Sequence, residues 1–288
     1  MKKELYPLLF ILAISLILCG CQKKTQVKGV DLSVNFSEPT LTDYLITDVE
    51  YTWKIAGDFE NLTRDYNIFV HFWHKTNLLI QDDHAPEVPT SKWEKGKEYT
   101  YKRRIFIPTF IDEFDPQFKG EETLRLSVGL YNAYDRSGKS QLEVLSKKLK
   151  VVPPPIGTPE IIYESGWYDL EVDQNSILKQ WRWTGREARC VIDNPGQDAL
   201  LVIKGGTNID AVKDQKIIFQ INGLTLDEFI ATDGFFEKSY KIKKETLGDK
   251  YEFYLAVVTD KTFVPAKVIS NSKDERELGV QISFIYFR

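Results

Sequence analysis

The sequence has few of the residues that most often carry out chemistry. Among its 288 residues there are only three cysteines and three histidines. The histidines all lie between positions 71 and 84, so a Ser-His-Asp or Cys-His arrangement is excluded within residues 160–288. Lys and Arg number 38 against 42 Asp and Glu, with no basic block. This charge balance argues against a nucleic-acid partner, since binding the phosphate backbone needs clustered positive charge.

The scarcity of cysteine also limits how the fold is stabilised. Three cysteines cannot build the dense disulfide framework of a small secreted domain, so stability has to come from a buried core. Cys190 lies in the alternating run 188–192, which is typical of a strand. We therefore expect Cys190 to be a small buried hydrophobic residue rather than a reactive thiol.

Long apolar runs are confined to the N-terminus. Lys2 and Lys3 precede a largely apolar stretch, residues 5–18, which is shorter than the about 20 residues that a transmembrane helix needs. A positive start, a short apolar region and then a small residue, Gly20, are the order of a secretory signal peptide. We expect residues 1–20 to be such a peptide.

The end of this stretch predicts a lipid anchor. The block Leu18-Cys19-Gly20-Cys21 resembles the lipobox of bacterial lipoproteins, in which the cysteine after the cleavage point receives acyl chains. The resemblance implies that Cys21 is the lipidated N-terminus and that residues 21–27 form a lipidated tether. The chain has no basic cluster for anionic lipid, so the acyl chains would hold the protein on the membrane. An uncleaved signal or a plain transmembrane anchor is the alternative.

A proline-rich stretch divides the remainder of the chain. Residues 153–159 read PPPIGTP, and consecutive prolines remove backbone donors and favour extended polyproline geometry. No helix or central strand is expected to cross this stretch, which we interpret as a linker. It separates two predicted domains of ordinary size, residues 28–152 and residues 160–288.

Residues 28–152 have the pattern of a β-rich domain. Segments rich in β-branched and aromatic residues alternate with turn-forming clusters. The predicted strands include 44–55, 65–75, 98–107 and 122–132. Roughly seven strands at this spacing, with no long 3.6-residue period, predict an immunoglobulin-like β-sandwich.

Residues 160–288 are also predicted to be β. Asn222-Gly223 stands between two apolar runs, 216–221 and 224–230, and is the strongest short sequence signal for a hairpin. Further strands are predicted at 251–258 and 278–287, and one helical turn at 243–247. A jelly-roll-like β-sandwich fits this pattern best, so we predict an all-β chain.

The histidine-containing segment is a candidate metal site. Imidazole and carboxylate groups close together are typical zinc ligands, and the candidates are His71, Asp82, Asp83 and His84. His71 and His74 would point to opposite faces of a strand because their separation is odd. His71 and His84 could still meet across a hairpin. The alternative is that these histidines are core and turn residues satisfied by hydrogen bonds.

Aromatic residues in the second predicted domain form a candidate ligand site. The rings concerned are Trp167, Tyr168, Trp181, Trp183 and Phe263. Aromatic rings stack on the apolar faces of sugars while nearby polar groups bind the hydroxyls, so exposed rings here would suit a glycan. If they are buried, the same rings simply fill the core of a sandwich.

Seven short strings stand out in the two predicted domains: FVHF at 69–72, QDDHAP at 81–86, PTSKW at 89–93, GLY at 129–131, WRWT at 181–184, DKTFVP at 260–265 and DERELG at 274–279. Together they resemble β-sandwich modules of bacterial envelope proteins, including the soluble ends of multi-pass membrane glycosyltransferases. The resemblance implies an accessory, non-catalytic module of envelope carbohydrate biology. Near Lys261, Asp274 and Arg276 would form an ion pair that locks a loop, or would contact a ligand.

Two functions follow from these observations. The first is a non-catalytic binding or scaffold lipoprotein of the cell envelope, without a cofactor, that binds a glycan or a partner protein. It would be anchored in the outer membrane if the source is Gram-negative, and otherwise on the extracellular face of the cell membrane. The second is a metal-dependent or glycan-cleaving hydrolase centred on His71, Asp82, Asp83 and His84.

Overall fold

The structure, a computed structural model, describes residues 27–60, 62–135, 141–173 and 176–288. It is 54% strand and 4% helix, which confirms the prediction of an all-β fold. The predicted signal peptide, Cys21 and nearly all of the predicted tether lie outside the described residues. Within the described part of the chain, no helix is long and apolar enough to span a membrane.

The first half of the chain forms two sheets that face each other. Its strands are β1 (Val30–Phe36), β2 (Leu41–Thr42), β3 (Leu45–Ile55), β4 (Asn67–His74), β5 (Asn77–Gln81), β6 (Glu98–Ile107), β7 (Glu122–Tyr131) and β8 (Leu142–Val152). One sheet has the order β1-β3-β6, and the other has the order β2-β8-β7-β4-β5 with β2 parallel to β8. Because the strands are otherwise antiparallel, the arrangement is an immunoglobulin-like sandwich.

Strict alternation along β3 produces the first core. Every second residue of this strand is buried, and Tyr51 and Trp53 have no exposed surface. They pack with inward residues of the opposite sheet such as Phe72 and Leu126. Since side chains of a strand alternate between its faces, one face of β3 is left for solvent while the other closes the sandwich.

The second half forms one curled sheet. Its elements are β9 (Ile161–Trp167), β10 (Glu171–Asp173), β11 (Ser176–Asp193), β12 (Ala199–Gly206), β13 (Lys216–Ile221), β14 (Leu224–Ile230), β15 (Phe235–Ile242), α1 (Lys244–Leu247), β16 (Glu252–Thr259), α2 (Pro265–Val268) and β17 (Gln281–Phe287). The strand order is β14-β13-β16-β11-β17-β12-β15, and β9 and β10 also pair with β11. This is the predicted jelly-roll-like sandwich.

The long strand β11 makes the curl, because it belongs to both layers. Its residues 182–183 pair with β17, whereas 187–193 pair with β16. The pairing of β11 with β9 is irregular between Thr184 and Arg189, where Gly166 has a φ of +74°. A side chain at Gly166 would collide with the carbonyl oxygen of Glu187. Only glycine allows this close approach between the two backbones.

The Asn222-Gly223 hairpin is confirmed. Both residues have positive φ, 51° and 80°, as a two-residue turn between twisted strands requires. The turn fixes the register of β13 against β14, and it also places Asn222 next to β16. The hairpin turn therefore lies beside the start of β16, at one end of this sheet.

The two halves contact each other through β17. The hydroxyl of Tyr44 donates to the carbonyl oxygen of Ile285 at 2.8 Å, and Arg288 donates to the hydroxyl of Thr42 at 2.9 Å. Tyr44 adopts a left-handed φ of 52°, which is uncommon for a residue with a side chain. Its ring also lies 5.3 Å from that of Tyr286, centroid to centroid.

Candidate ligand-binding groove

Three neighbouring strands of the second half carry a groove on their outer face. Gln220 of β13 and Arg189 of β11 both stand opposite Ala256 of β16, so the three side chains form one row across the sheet. The flanking residues of β16, Leu255 and Val257, point into the core and are almost completely buried. Because side chains alternate along a strand, the small Ala256 becomes the floor between two long polar neighbours.

The groove has the size and lining of a small-ligand site. Its volume is about 510 Å³, within the range of about 300–1,000 Å³ typical of ligand pockets. Its lining includes Glu187, Arg189, Gln220, Asn222, Tyr254 and Lys250. The ring of Tyr254 is 45% exposed. An aromatic face next to several hydrogen-bonding side chains can bind a ligand that has both an apolar and a hydroxylated face.

Hydrogen bonds hold the end of the groove in place. The side chain of Asn222 accepts from the backbone N–H of Tyr254 at 3.0 Å and donates to the carbonyl oxygen of Leu247 at 3.1 Å. Asn194 donates to the carbonyl oxygens of Gly248 and Lys250, both at 2.8 Å. The loop before β16 is thus tied to the sheet, so the groove is already formed without a ligand.

The charges in the groove balance each other and face solvent. Arg189 and Glu187 form an ion pair at 2.7 Å, and their side chains are 55% and 45% exposed. An exposed pair of this kind contributes little to stability, about 0–1 kcal/mol, so its groups are free to exchange solvent for a ligand. The groove therefore suits a neutral, hydrogen-bonding ligand.

Beneath the sheet, Cys190 is completely buried, as the sequence predicts. Burial raises the pKa of its thiol to about 12. A thiol without thiolate character is a poor nucleophile and a poor metal ligand. Cys190 is therefore a packing residue.

Two of the aromatic residues predicted to bind ligand lie beside the predicted ion pair in the second sandwich. Tyr168, Trp181 and Arg276 come together there, and we call them, with Glu171 and Asp274, the loop-end cluster. The guanidinium of Arg276 lies 5.1 Å from the ring centroid of Tyr168 and contacts Asp274 at 2.7 Å and Glu171 at 2.8 Å. The indole N–H of Trp181 donates to Glu171 at 3.0 Å. The structure therefore pairs Asp274 with Arg276 but adds Glu171, which the sequence did not indicate.

The remaining predicted ligand residues also make internal contacts. Trp183 packs edge-on against the buried Phe263 at 5.7 Å, in a small hydrophobic cluster with Val212 and Leu278. Lys261 donates to the carbonyl oxygens of Lys213 and Asp214, at 2.9 and 3.1 Å. Trp167 donates to the carbonyl oxygen of Arg189 at 2.8 Å. These side chains fasten loops to the sandwich, and the polar groups of Trp167 and Lys261 are occupied.

In the first half of the chain, the candidate metal ligands are paired with other groups. Asp82 holds Arg103 through two hydrogen bonds of 2.6 Å. His84 donates from Nδ1 to the carbonyl oxygen of Asp82 at 2.7 Å and accepts at Nε2 from the hydroxyl of Tyr101 at 2.8 Å. Burial, the largest contribution, lowers the pKa of His84 and keeps its imidazole neutral.

His71 lies on a different face from His84. Its Nε2 is 3.1 Å from a carboxylate oxygen of Asp83, a close contact without hydrogen-bond geometry. The His71 ring packs beside Phe69 and Trp73, whereas His84 lies against Tyr51 in the interior. Among the described residues, no group of three or more His, Cys, Asp or Glu is arranged to hold a metal ion. The structure thus separates the two imidazoles that a shared site would need.

The sequence analysis missed the residues of the groove. Gln220 and Arg189 are polar residues in otherwise apolar strand segments, and their alternation with buried neighbours was the available signal. That signal places each residue on an outer face, but it does not show that both stand beside Ala256.

Comparisons with known proteins give no family for this chain. No protein-family model matches it, and no curated protein sequence matches it. The solved structures similar to it include a secreted serine protease, VesC, from Vibrio cholerae, with 10% identity, a TM-score of 0.25 and coverage of 90% of this chain and 51% of that one. The present chain thus spans about half the length of the protease.

Two further similar structures align over more than 90% of both chains. A carbohydrate-binding module of the β-sandwich superfamily has 8% identity and a TM-score of 0.25, covering 91% of this chain and 99% of that one. The collagen adhesin CNA from S. aureus has 8% identity and a TM-score of 0.19, with coverage of 92% and 96%. Similarity at this level carries no argument about activity or ligand, so the function has to be inferred from the groove itself.

Proposed function

We propose that this chain is a non-catalytic lipoprotein of the cell envelope that binds glycan in the groove on the outer face of β11, β13 and β16. The observation that carries the proposal is the row formed by Gln220, Ala256 and Arg189 beside the exposed ring of Tyr254. It combines a flat apolar surface with hydrogen-bonding groups on both sides of a small residue.

The chemistry of sugars matches this lining. A pyranose ring presents C–H groups on one face and hydroxyls around its edge, so it can lie on the Tyr254 ring while the hydroxyls contact Gln220, Arg189 and Glu187. The ion pair in the groove is electrically balanced, which favours a neutral glycan over a strongly anionic one. A partner protein is the other ligand class, and a glycan fits the polar lining better.

The proposed location rests on the sequence. Residues 1–20 would be removed after export and Cys21 would carry the acyl chains, which hold the two sandwiches outside the cytosol. In a Gram-negative source the membrane would be the outer one. Mass spectrometry of the N-terminal peptide tests this directly: we expect diacylglycerol on Cys21 and its loss in Cys21→Ser, and an unmodified N-terminus at Met1 would contradict it.

A matched pair of tyrosine variants tests the glycan site. Tyr254 lines the groove, whereas Tyr251 is 82% exposed at the same end of β16 and does not line it. We expect the full chain to bind at least one neutral cell-envelope glycan on an array. Tyr254→Ala should weaken binding about two- to twelvefold, because stacking on one aromatic ring is worth about 0.5–1.5 kcal/mol.

Tyr251→Ala is the control and should bind as the unmodified chain does. Equal losses in both variants would place the site elsewhere. The absence of any glycan ligand for the correctly folded full chain would overturn the proposal.

A further inference from the structure

A second cleft lies at the open edge of the first sandwich, far in the fold from the groove. It has a volume of about 240 Å³, and we call it the edge cleft. It is lined by Trp53, Trp93, Tyr99 and Tyr101; the two tryptophans are almost completely buried, so the accessible ring surface belongs to the two tyrosines. Trp93 stacks on Tyr99 with centroids 5.7 Å apart and planes 18° apart, so the walls are packed against each other before any ligand arrives.

The polar atoms of these rings are already used inside the protein. Trp93 donates to the carbonyl oxygen of Val88 at 3.1 Å, and Trp53 donates to the hydroxyl of Tyr101 at 3.4 Å. The Tyr101 hydroxyl in turn donates to His84 at 2.8 Å. The edge cleft therefore offers a ligand π-electron surface but few hydrogen bonds, and this makes it a poor site for a sugar.

The hydroxyl of Tyr99, at the mouth of the edge cleft, is also hydrogen-bonded within the protein. The hydroxyl of Tyr99 accepts from the backbone N–H of Glu94 at 3.0 Å and donates to the carbonyl oxygen of Lys92 at 3.5 Å. What remains accessible is its ring, whose face attracts cations.

The charge at the rim has one sign. Glu87 and Glu98 line the edge cleft, and none of the described residues that line it is Lys, Arg or His. Glu98 is paired with Lys54 at 3.0 Å, on the opposite face of β6 from the Tyr99 and Tyr101 rings, so Glu87 is the acid that a ligand in the cleft can reach. Aromatic rings with a carboxylate at the rim are complementary to a cation on an apolar stem.

The edge cleft lies beside an unpaired strand edge, along which a segment of another protein could bring a cationic side chain. β6 is the terminal strand of the sheet β1-β3-β6, and no described strand pairs with its outer edge. The carbonyl oxygen of Lys97 accepts from the N–H of Ile55 in β3. Because the direction of these bonds alternates along an antiparallel pair, the backbone groups of Glu98 and Thr100 point outward. An extended segment of another protein can pair with such an edge.

We propose that the edge cleft is a docking pocket for a lysine side chain on an extended segment of a partner protein. The segment runs along the outer edge of β6, the aliphatic part of the lysine lies against the rings of Tyr99 and Tyr101, and its ammonium group meets Glu87. This inference does not depend on the proposed glycan site, which is in the other sandwich.

Two capped peptides that differ by one charge test the proposal: Val-Lys-Val and its norleucine analogue, which keeps the aliphatic stem. The full chain in detergent is labelled with ¹⁵N only at tryptophan, so that the indole signals of Trp53 and Trp93 report on the edge cleft. We expect both signals to shift and saturate with the lysine peptide, at a concentration about fivefold lower than with the norleucine peptide.

Variants of two nearby acids complete the experiment. Glu87→Gln should remove the about fivefold preference for lysine, whereas Glu94→Gln, an exposed acid outside the cleft lining, should preserve it. Both substitutions are at exposed positions, so folding should not be affected. Equal affinity for the two peptides, unchanged preference in Glu87→Gln, or shifts confined to the other tryptophans would each overturn the proposal.

Discussion

Phe106 of β6 and Phe284 of β17 stack face to face, with ring centroids 4.7 Å apart and planes 17° apart. Phe106 belongs to the first sandwich and Phe284 to the second, so the stack lies directly between the two halves. The hydrogen bond from Tyr44 to Ile285 lies beside it. Stacking and hydrogen bonding at one place indicate that the halves are held in a defined orientation rather than joined only by the proline-rich linker.

Removing one ring of this stack should loosen the contact between the halves. We expect Phe106→Ala to lower the free energy of unfolding by about 1–2 kcal/mol, because a partly buried aromatic contact is lost. Phe114→Ala is the control, since that ring is 95% exposed, and it should change stability by less than about 0.5 kcal/mol. Urea denaturation of both variants measures the difference, and equal stabilities would show that the stack contributes nothing.

Filling the floor of the groove should abolish glycan binding without unfolding the protein. We expect Ala256→Leu to weaken binding at least about tenfold, because the new side chain occupies space between Gln220 and Arg189. Thr225→Leu places the same side chain one strand further along the same row, outside the groove lining, and should bind normally. Affinity electrophoresis in a gel that contains the glycan found on the array compares them. Normal binding by Ala256→Leu would show that the glycan does not bind in the groove.

The loop-end cluster should matter for stability but not for binding. We expect Arg276→Gln to destabilise the chain by about 1 kcal/mol, since two carboxylates lose their shared partner. Glycan affinity should stay unchanged. A variant that keeps its stability and loses affinity would instead make Arg276 a ligand-binding residue.

The same cluster should make stability depend on pH in a defined window. The hydrogen bonds from Arg276 lower the pKa of Asp274 below its usual value near 4. The unfolded chain therefore takes up a proton at higher pH than the folded one, so this contribution is complete above about pH 4 and disappears as the pH falls further. Unfolding curves between pH 5 and 2.5 should show that the free energy of unfolding falls less with decreasing pH in Arg276→Gln than in the unmodified chain.

Cys190 should be unreactive in the folded protein. With burial raising its pKa to about 12, only about one thiol in ten thousand is ionised at pH 8. We expect mass spectrometry to find the Cys190 peptide unlabelled after iodoacetamide treatment of the native chain and fully labelled after treatment in guanidinium. Rapid labelling of the native chain would mean that the sheet opens readily at β11.

Local patterns in the sequence were enough to predict most of the strands. β-branched and aromatic composition identified 98–107, and the runs on either side of Asn222-Gly223 identified 216–221 and 224–230, with the bounds that β6, β13 and β14 have. Turn geometry and the alternation of side chains between the two faces of a strand are decided by neighbours in the chain. Such features are therefore visible before any tertiary contact is known.

The binding surfaces, by contrast, were decided only by tertiary structure. The groove depends on strands that bring positions 189, 220 and 256 into one row, and the register between strands distant in sequence is not a local property. For the same reason the sequence does not show that Glu171 lies against Trp181 and Phe263 against Trp183. A side chain's type can be read from the sequence, but its exposure depends on what the remainder of the chain places beside it.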